Sequence, residues 1–466
     1  LEIQPARGNI LDRHGRLLAC NRRCRSFYAV PDKVTDPRRT ARRLAPLVGS
    51  SVRRLAARLA SDKAFVWIGR KLADDAADRV EAMKLPGVHV LHETKRVYPE
   101  GRLGCHVLGF VGVDNQGLAG VEHAYERTIR GKTGWLRIAR DARGRAVPIT
   151  DQVVKSPRPG RDVILTLDKV VQHITERELG RAVAETDAAA GSAVVMDPRT
   201  GEILALANVP DFDPNHFARF SSDARRNRAV RDVFEPGSTF KLVTAAAALE
   251  EGLYQESDLI DCGQGSMRIS GRLVRDHVSH GRLSFAEVFG LSSNIGAVRI
   301  GAHLGAERMV RYARALGFGR KTGLPLPGEA EGLLKDASVW REGTMASFPF
   351  GYEVAVTAVQ LATAYAAVAR GGSLMPPVLV REPDGPSSRA EEEYGNKRRV
   401  LSETTAARLR AILTQAVERG TGEEAKIEHY TVAGKTGTAE KPSADGRGYD
   451  PHRHIGSFVG FLPAED

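Results

Sequence analysis

The spacing of apolar and polar positions divides the chain into two textures. Over the first ~160 residues the apolar runs are short, broken by turn residues and interleaved with arginine, which predicts an elongated, strand-containing module. Two stretches stand out there: RGNILDR at 7–13, and the Gly-rich run RVYPEGRLGCHVLGFVGVDNQGLAGVE at 96–122, which reads as tight turns between short strands. KSPRPG at 155–160 reads as a linker. Beyond it, 163–167 alternates as a strand does and 170–183 has helical spacing. Residues 191–208 predict a hairpin around the Asp197–Gly201 turn. Helical patterns follow at 239–251, 284–290, 295–304 and 357–370, then a polar insert near 383–399 and a helix over 403–418 that stops at Gly420. Tyr430–Ala433 is strand-prone, and Ser457–Leu462 predicts another short strand. Strands at both ends with helices between them predict an α+β domain built on an antiparallel sheet flanked by helices. The expected division is therefore 1–160 for the first module and 161–466 for the second.

Composition narrows the classes. With 42% hydrophobic and 27% charged residues, the 466-residue chain reads as globular, neither disordered nor membrane-embedded. Its formal net charge of +11 suits an anionic surface or polymer. The arginines are scattered, however, and neither zinc-finger spacing nor an RNA-binding aromatic motif is present, so no nucleic-acid partner is expected. The four cysteines are too few and dispersed for a disulfide framework; Cys20 and Cys24 either pair in an oxidising compartment or are small buried thiols. No apolar run reaches the roughly 18 residues that span a bilayer. The first residue is Leu1, not methionine, and an upstream segment is expected to have been removed.

Three short motifs carry candidate chemistry. Ser238-Thr239-Phe240-Lys241 follows Pro236-Gly237 and opens the helix-forming run KLVTAAAALEE, so Ser238 lies at a helix N-terminus where developing negative charge is favoured. Lys241, three residues on, returns to the same face and can serve as the base that makes a serine nucleophilic. Alone, this pattern equally describes an N-cap serine followed by a solvated lysine. Ser292-Ser293-Asn294 falls between two helical stretches, where Ser292 could relay a proton and Asn294 could orient a substrate amide, or where both simply cap a helix. Lys-Thr-Gly occurs three times. The copies at 132–134 and 321–323 read as turns, whereas Lys435-Thr436-Gly437-Thr438 continues the strand-prone HYTVAG. A strand edge there would offer a second cation, hydroxyls and backbone N–H groups, with Gly437 allowing close approach of a substrate. The backbone N–H groups of Ser238 and Thr438 would form an oxyanion hole.

In this order the motifs resemble those of the penicillin-recognising serine enzymes. The whole chain is similar to class B penicillin-binding proteins, through RGNILDRHGRLLA, VYPEGRLGCHVLGFVGVDNQGLAGVE, FEPGSTFK, GYEVAVTAVQLATAYAAVARGG and VAGKTGTAE. The resemblance implies a non-catalytic pedestal or dimerisation-type module followed by a serine D,D-transpeptidase domain. Its substrate would be the D-Ala-D-Ala end of peptidoglycan stem peptides, and β-lactams would acylate Ser238. It also implies an N-terminal anchor in the bacterial inner membrane, a catalytic domain on the periplasmic side, and a polytopic glycosyltransferase and division proteins as partners. FVGVDNQGLAGVE leans toward the septal branch over the elongation branch. No metal or organic cofactor is implied. In that family a further strand and a C-terminal helix follow the Lys-Thr-Gly strand, so the natural protein is expected to extend beyond Asp466.

Other outcomes share the motifs. A serine β-lactamase needs a group that activates water against the acyl-enzyme, and no Glu-x-x-Leu-Asn segment supplies it. A β-lactam sensor, a D,D-carboxypeptidase or a wall-binding scaffold without turnover would keep the same fold. His452 and His454, in the predicted loop 441–455, lack a third ligand at useful spacing and read as exposed loop residues.

Overall fold

The structure is a computed structural model that describes residues 2–3, 5–140, 146–269, 272–341, 343–381, 398–443 and 448–465. Most of the polar insert expected near 383–399 lies outside the described residues. The chain divides into two compact units, one of residues 1–164 with 212–220, the other of residues 165–211 with 221–466. Among the described residues, no helix is long and apolar enough to cross a membrane.

The first unit is built on the 13-residue strand Leu17–Ala29. It pairs antiparallel with Val88–Val97 on one side and with Val66–Leu72 on the other. Three helices, Pro37–Leu44, Val52–Leu59 and Asp74–Ala82, bury Ala41, Leu44, Leu55, Leu59, Ala77 and Val80 against Phe27 and Ile68. Asp36 and Ser51 cap the first two by accepting from the N–H groups of Arg39 and Arg54.

The two sequence stretches singled out in this module meet at Glu122. Arg7 donates to Glu122 Oε2 (Nη2, 2.7 Å), Arg96 donates to Oε1 (Nε, 2.5 Å), and Arg7 Nη1 also reaches Glu126 Oε2 at 2.7 Å. Arg7, Arg96 and Glu122 are all buried. The 155–160 stretch is tied down, not free: Lys132 and Arg158 exchange backbone hydrogen bonds, Gly160 N donates to Ala6 O, and a Cβ on Gly160 would fall 1.7 Å from Ile129 O. Cys20 and Cys24 are free thiols. Four residues apart on one extended strand, their Cα atoms are separated by about 13 Å, too far to bridge.

In the second unit the helix Lys169–Glu185 precedes the antiparallel hairpin Gly191–Met196/Ile203–Val209. The core surrounds the helix Lys241–Glu250, of which every residue from Lys241 to Leu249 is buried. Phe285–Gly290, Asn294–Leu304, Ala306–Ala315, Ala358–Ala369 and Glu403–Glu418 are the other main helices. Capping boxes set two of their starts, Ser284 with Glu287 and Thr357 with Gln360. The second hairpin pairs Ala433–Pro442 with Tyr449–Phe461 and, among the described residues, is not hydrogen-bonded to the first.

Two expectations change here. The Lys-Thr-Gly strand begins at Ala433, not Tyr430, and its partner is 13 residues long instead of a short strand over 457–462. His452 and His454 therefore sit, exposed, on that strand and not in a loop, although residues 444–447 of the predicted loop lie outside the described residues.

Candidate active site

Three backbone segments converge at the Ser238 turn, and glycines let them approach. The chain enters through the 3₁₀ turn Gly237–Phe240 before the helix Lys241–Glu250, which puts the half-buried Ser238 in the first turn and Lys241 at the helix start. Gly237 has φ +54°, and a Cβ there would fall 2.6 Å from Thr438 O. On the facing strand, a Cβ on Gly437 would meet Pro236 O at 2.7 Å. Gly351 (φ +92°) closes a third side: its Cβ would lie 2.1 Å from Gly237 O, and Gly351 O accepts from Gly237 N. The Ser238 turn is thus clamped between the Lys-Thr-Gly strand and the Phe348–Gly351 turn.

Lys241 is 1% exposed, and its Nζ lies 2.6 Å from Ser292 O, 2.9 Å from Asn294 Oδ1 and 3.1 Å from Ser292 Oγ. Burial holds its amine well below the usual lysine range, and the nearby Lys435 cation pushes it the same way. Ser292 follows the helix Phe285–Gly290 in the left-handed region, at φ +63°. Ser293 N bonds back to Val288 O (2.9 Å), a helix ending that ordinarily recruits glycine. A serine there costs about 1–2 kcal/mol, and it aims both Ser292 oxygens at Lys241. Asn294 is engaged at both ends, since Oδ1 accepts from Lys241 and Nδ2 donates to Arg275 O at 2.9 Å.

Lys435 is 2% exposed, and burial lowers its amine to about 8. Its Nζ donates to Thr421 Oγ1 (3.0 Å), Thr436 O (3.2 Å) and Thr436 Oγ1 (3.4 Å). Thr436 Oγ1 donates to Thr421 Oγ1 in turn (2.8 Å). Thr438 is exposed and stands beside Gly237. The structure thus brings Ser238, Lys241, Ser292, Asn294, Lys435, Thr436, Gly437 and Thr438 together in one cluster. Of the other triplets, Lys321-Thr322-Gly323 is a loop whose Thr322 N–H donates to Glu329 (2.7 Å), whereas Lys132-Thr133-Gly134 is not the expected turn: Lys132 bridges Arg158 and Gly134 opens the strand Gly134–Arg140.

Sequence reasoning missed Thr421 and Asp276. Thr421 had one signal, its place between two glycines just past a helix end. Asp276, whose carboxylate accepts from Ser293 Oγ (2.6 Å), had none.

Comparison with known proteins matches both modules. The model of the penicillin binding protein transpeptidase domain matches residues 191–466, and that of the penicillin-binding protein dimerisation domain matches residues 2–165. The chain is 37% identical to stage V sporulation protein D of Bacillus subtilis, over 100% of this chain and 73% of that protein. It is 33% identical to the peptidoglycan D,D-transpeptidase FtsI of Escherichia coli, over 99% of this chain and 78% of that protein. The crystal structure of penicillin binding protein 3 from Mycobacterium tuberculosis complexed with aztreonam superposes with a TM-score of 0.76 at 28% identity, covering 100% of this chain and 88% of that one. The likeness runs through both modules, and the chain belongs to the class B penicillin-binding proteins.

Proposed function

We propose that the chain is a serine D,D-transpeptidase that cross-links peptidoglycan stem peptides through an acyl-enzyme on Ser238 and is inhibited by β-lactams. The observation that carries this reading is Lys241: a buried, desolvated amine one helical turn after a serine, within reach of a second serine and opposite a strand edge. In its neutral form the amine gives its two protons to Ser292 O and Asn294 Oδ1 and keeps a lone pair for a hydroxyl proton. Ser238 Oγ attacks the carbonyl of the terminal D-Ala-D-Ala bond while its proton passes to Lys241. The backbone N–H groups of Ser238 and Thr438 receive the oxyanion. The C–N bond breaks, and the proton reaches the departing D-alanine amine through Ser292. An amine of a second stem peptide then attacks the ester, forming the cross-link and freeing Ser238. Lys435, with the hydroxyls of Thr436 and Thr438, fits the substrate's terminal carboxylate, and Gly437 admits its backbone. A β-lactam follows the first half of this path, but its leaving nitrogen stays tethered and blocks the acceptor.

Residues 1–160 serve as the pedestal and 161–466 carry the chemistry. The similarity to a sporulation protein and to FtsI supports a division-type role. Such a role places the catalytic unit on the outer face of the cytoplasmic membrane, with a polytopic glycosyltransferase and division proteins as partners. The test is intact-protein mass spectrometry after incubation with a penicillin over several hours. One stable adduct on the Ser238 peptide, absent in Ser238→Ala, is expected. Rapid antibiotic turnover would replace the transpeptidase reading with a hydrolase, and labelling of Ser238→Ala would move the nucleophile elsewhere.

A further inference from the structure

The turn that presents Ser292 and Asn294 to Lys241 is held from outside the three motifs. Asp276 follows the strand Arg272–Arg275, and its own N–H donates to Gly265 O at 3.0 Å. Its Oδ2 accepts from Ser293 Oγ at 2.6 Å, and its Oδ1 accepts from the N–H groups of Asn294 (2.6 Å) and Ile295 (3.0 Å). Ser293 Oγ accepts from Gly296 N at 3.0 Å. The first-turn donors of the helix Asn294–Leu304 are thus satisfied by one carboxylate and one hydroxyl. Beside Asp276, Arg275 O takes the amide hydrogens of Asn294 (2.9 Å), which leaves Asn294 Oδ1 facing Lys241. A strained residue persists only where its surroundings over-determine it, and the bonds to 293–295 start one residue after the left-handed Ser292.

We infer that Asp276 is a positioning residue for acylation: its carboxylate locks the Ser292–Asn294 turn against Lys241 and holds a negative charge beside that turn. This rests on the transpeptidase reading above. The charged and titratable groups that act on Lys241 are Lys435 from the facing strand, Asp276 from the 272–276 segment and the buried Cys262 thiol; burial and Lys435 favour the neutral amine, and Asp276 favours the ammonium. Ser292 and Asn294 contribute only neutral oxygens. Removing the Asp276 charge while keeping its shape therefore lets Lys241 lose its proton at lower pH.

The experiment measures the second-order rate of penicillin acylation against pH for the wild type, Asp276→Asn and Asp276→Ala, with thermal melting of each. Asparagine keeps an acceptor for the two N–H groups and turns its amide toward Ser293 Oγ. Asp276→Asn is expected to melt with the wild type and to move the acid limb of the profile down by about half a pH unit or more. Asp276→Ala, which releases the turn, is expected to lower the plateau rate about 10- to 100-fold. A purely structural role predicts no displacement of the limb. A folded Asp276→Asn whose limb coincides with the wild type overturns the inference alone, and so does an Asp276→Ala that keeps the wild-type plateau. A wild-type chain that penicillin does not acylate overturns the underlying reading, and this inference with it.

Discussion

In the first unit Arg7 and Arg96 are buried against the carboxylate of Glu122, with Glu126 taking a second bond from Arg7. In the second, Lys241 and Lys435 are buried against hydroxyls and carbonyls, and Asp276, the carboxylate whose charge acts on Lys241, bonds to the turn and not to the amine. The difference lies in what compensates desolvation. A guanidinium stays charged, so burying it demands a carboxylate, and the result is a rigid joint between distant stretches of chain. A lysine can answer burial by giving up its proton instead, which is why the second pair is depressed in pKa and the first serves only structure.

That contrast can be broken in four ways, from the largest effect down. Lys241→Met should lower the rate of penicillin acylation about 10²- to 10⁴-fold, while reducing stability far less than changes at Glu122; stopped-flow acylation and urea denaturation read the two separately. Glu122→Ala leaves two buried guanidiniums without their carboxylate and should destabilise the first unit by roughly 3–5 kcal/mol, with the acylation rate of folded protein unchanged. A midpoint close to wild type would show that the arginines find water or Glu126 instead.

The third concerns pH. Lys435 titrates near 8 when folded and near 10.4 when unfolded. Between those values the unfolded chain binds more protons, so stability rises with pH through that window, by up to about 3 kcal/mol. Lys435→Met should remove that rise, seen as the difference between the two proteins' stability profiles. A pair of identical profiles would mean that Lys435 stays solvated. The fourth and smallest change is Ser292→Gly, which relieves the left-handed serine and should raise stability by about 1 kcal/mol, yet acylate more slowly because Lys241 loses its hydroxyl partner. A variant that is both more stable and fully active would strip Ser292 of its role.

Much of the second unit was legible in the sequence because its elements announce themselves locally. Helices such as Ala358–Ala369 and Glu403–Glu418 carry caps and long apolar spacing, and the hairpin at 191–209 carries its turn residues. The three motifs were legible by order and context. The first unit's helices were not: Pro37–Leu44 and Val52–Leu59 are eight residues each and mostly arginine and alanine, so only a few buried leucines betray them. Asp276 was invisible because its partners lie 17–19 positions away and meet it only after the 266–275 hairpin folds back. The histidines at 452 and 454 were misplaced for a related reason. The 449–454 end of their strand is mostly polar; His454 is set extended by pairing with Glu440, and His452 lies in the irregularity between that pair and Lys441–Asp450, neither of which composition reveals.

The three glycines around Ser238 also set how this part of the chain can change over generations. At 237, 351 and 437 any side chain would run into main-chain atoms, and the first two also hold backbone conformations that disfavour one. Main chain cannot step aside as a side chain can. Substitution at these three positions therefore has to move main chain, whereas the neighbouring Thr438 is an exposed side chain that can change without doing so.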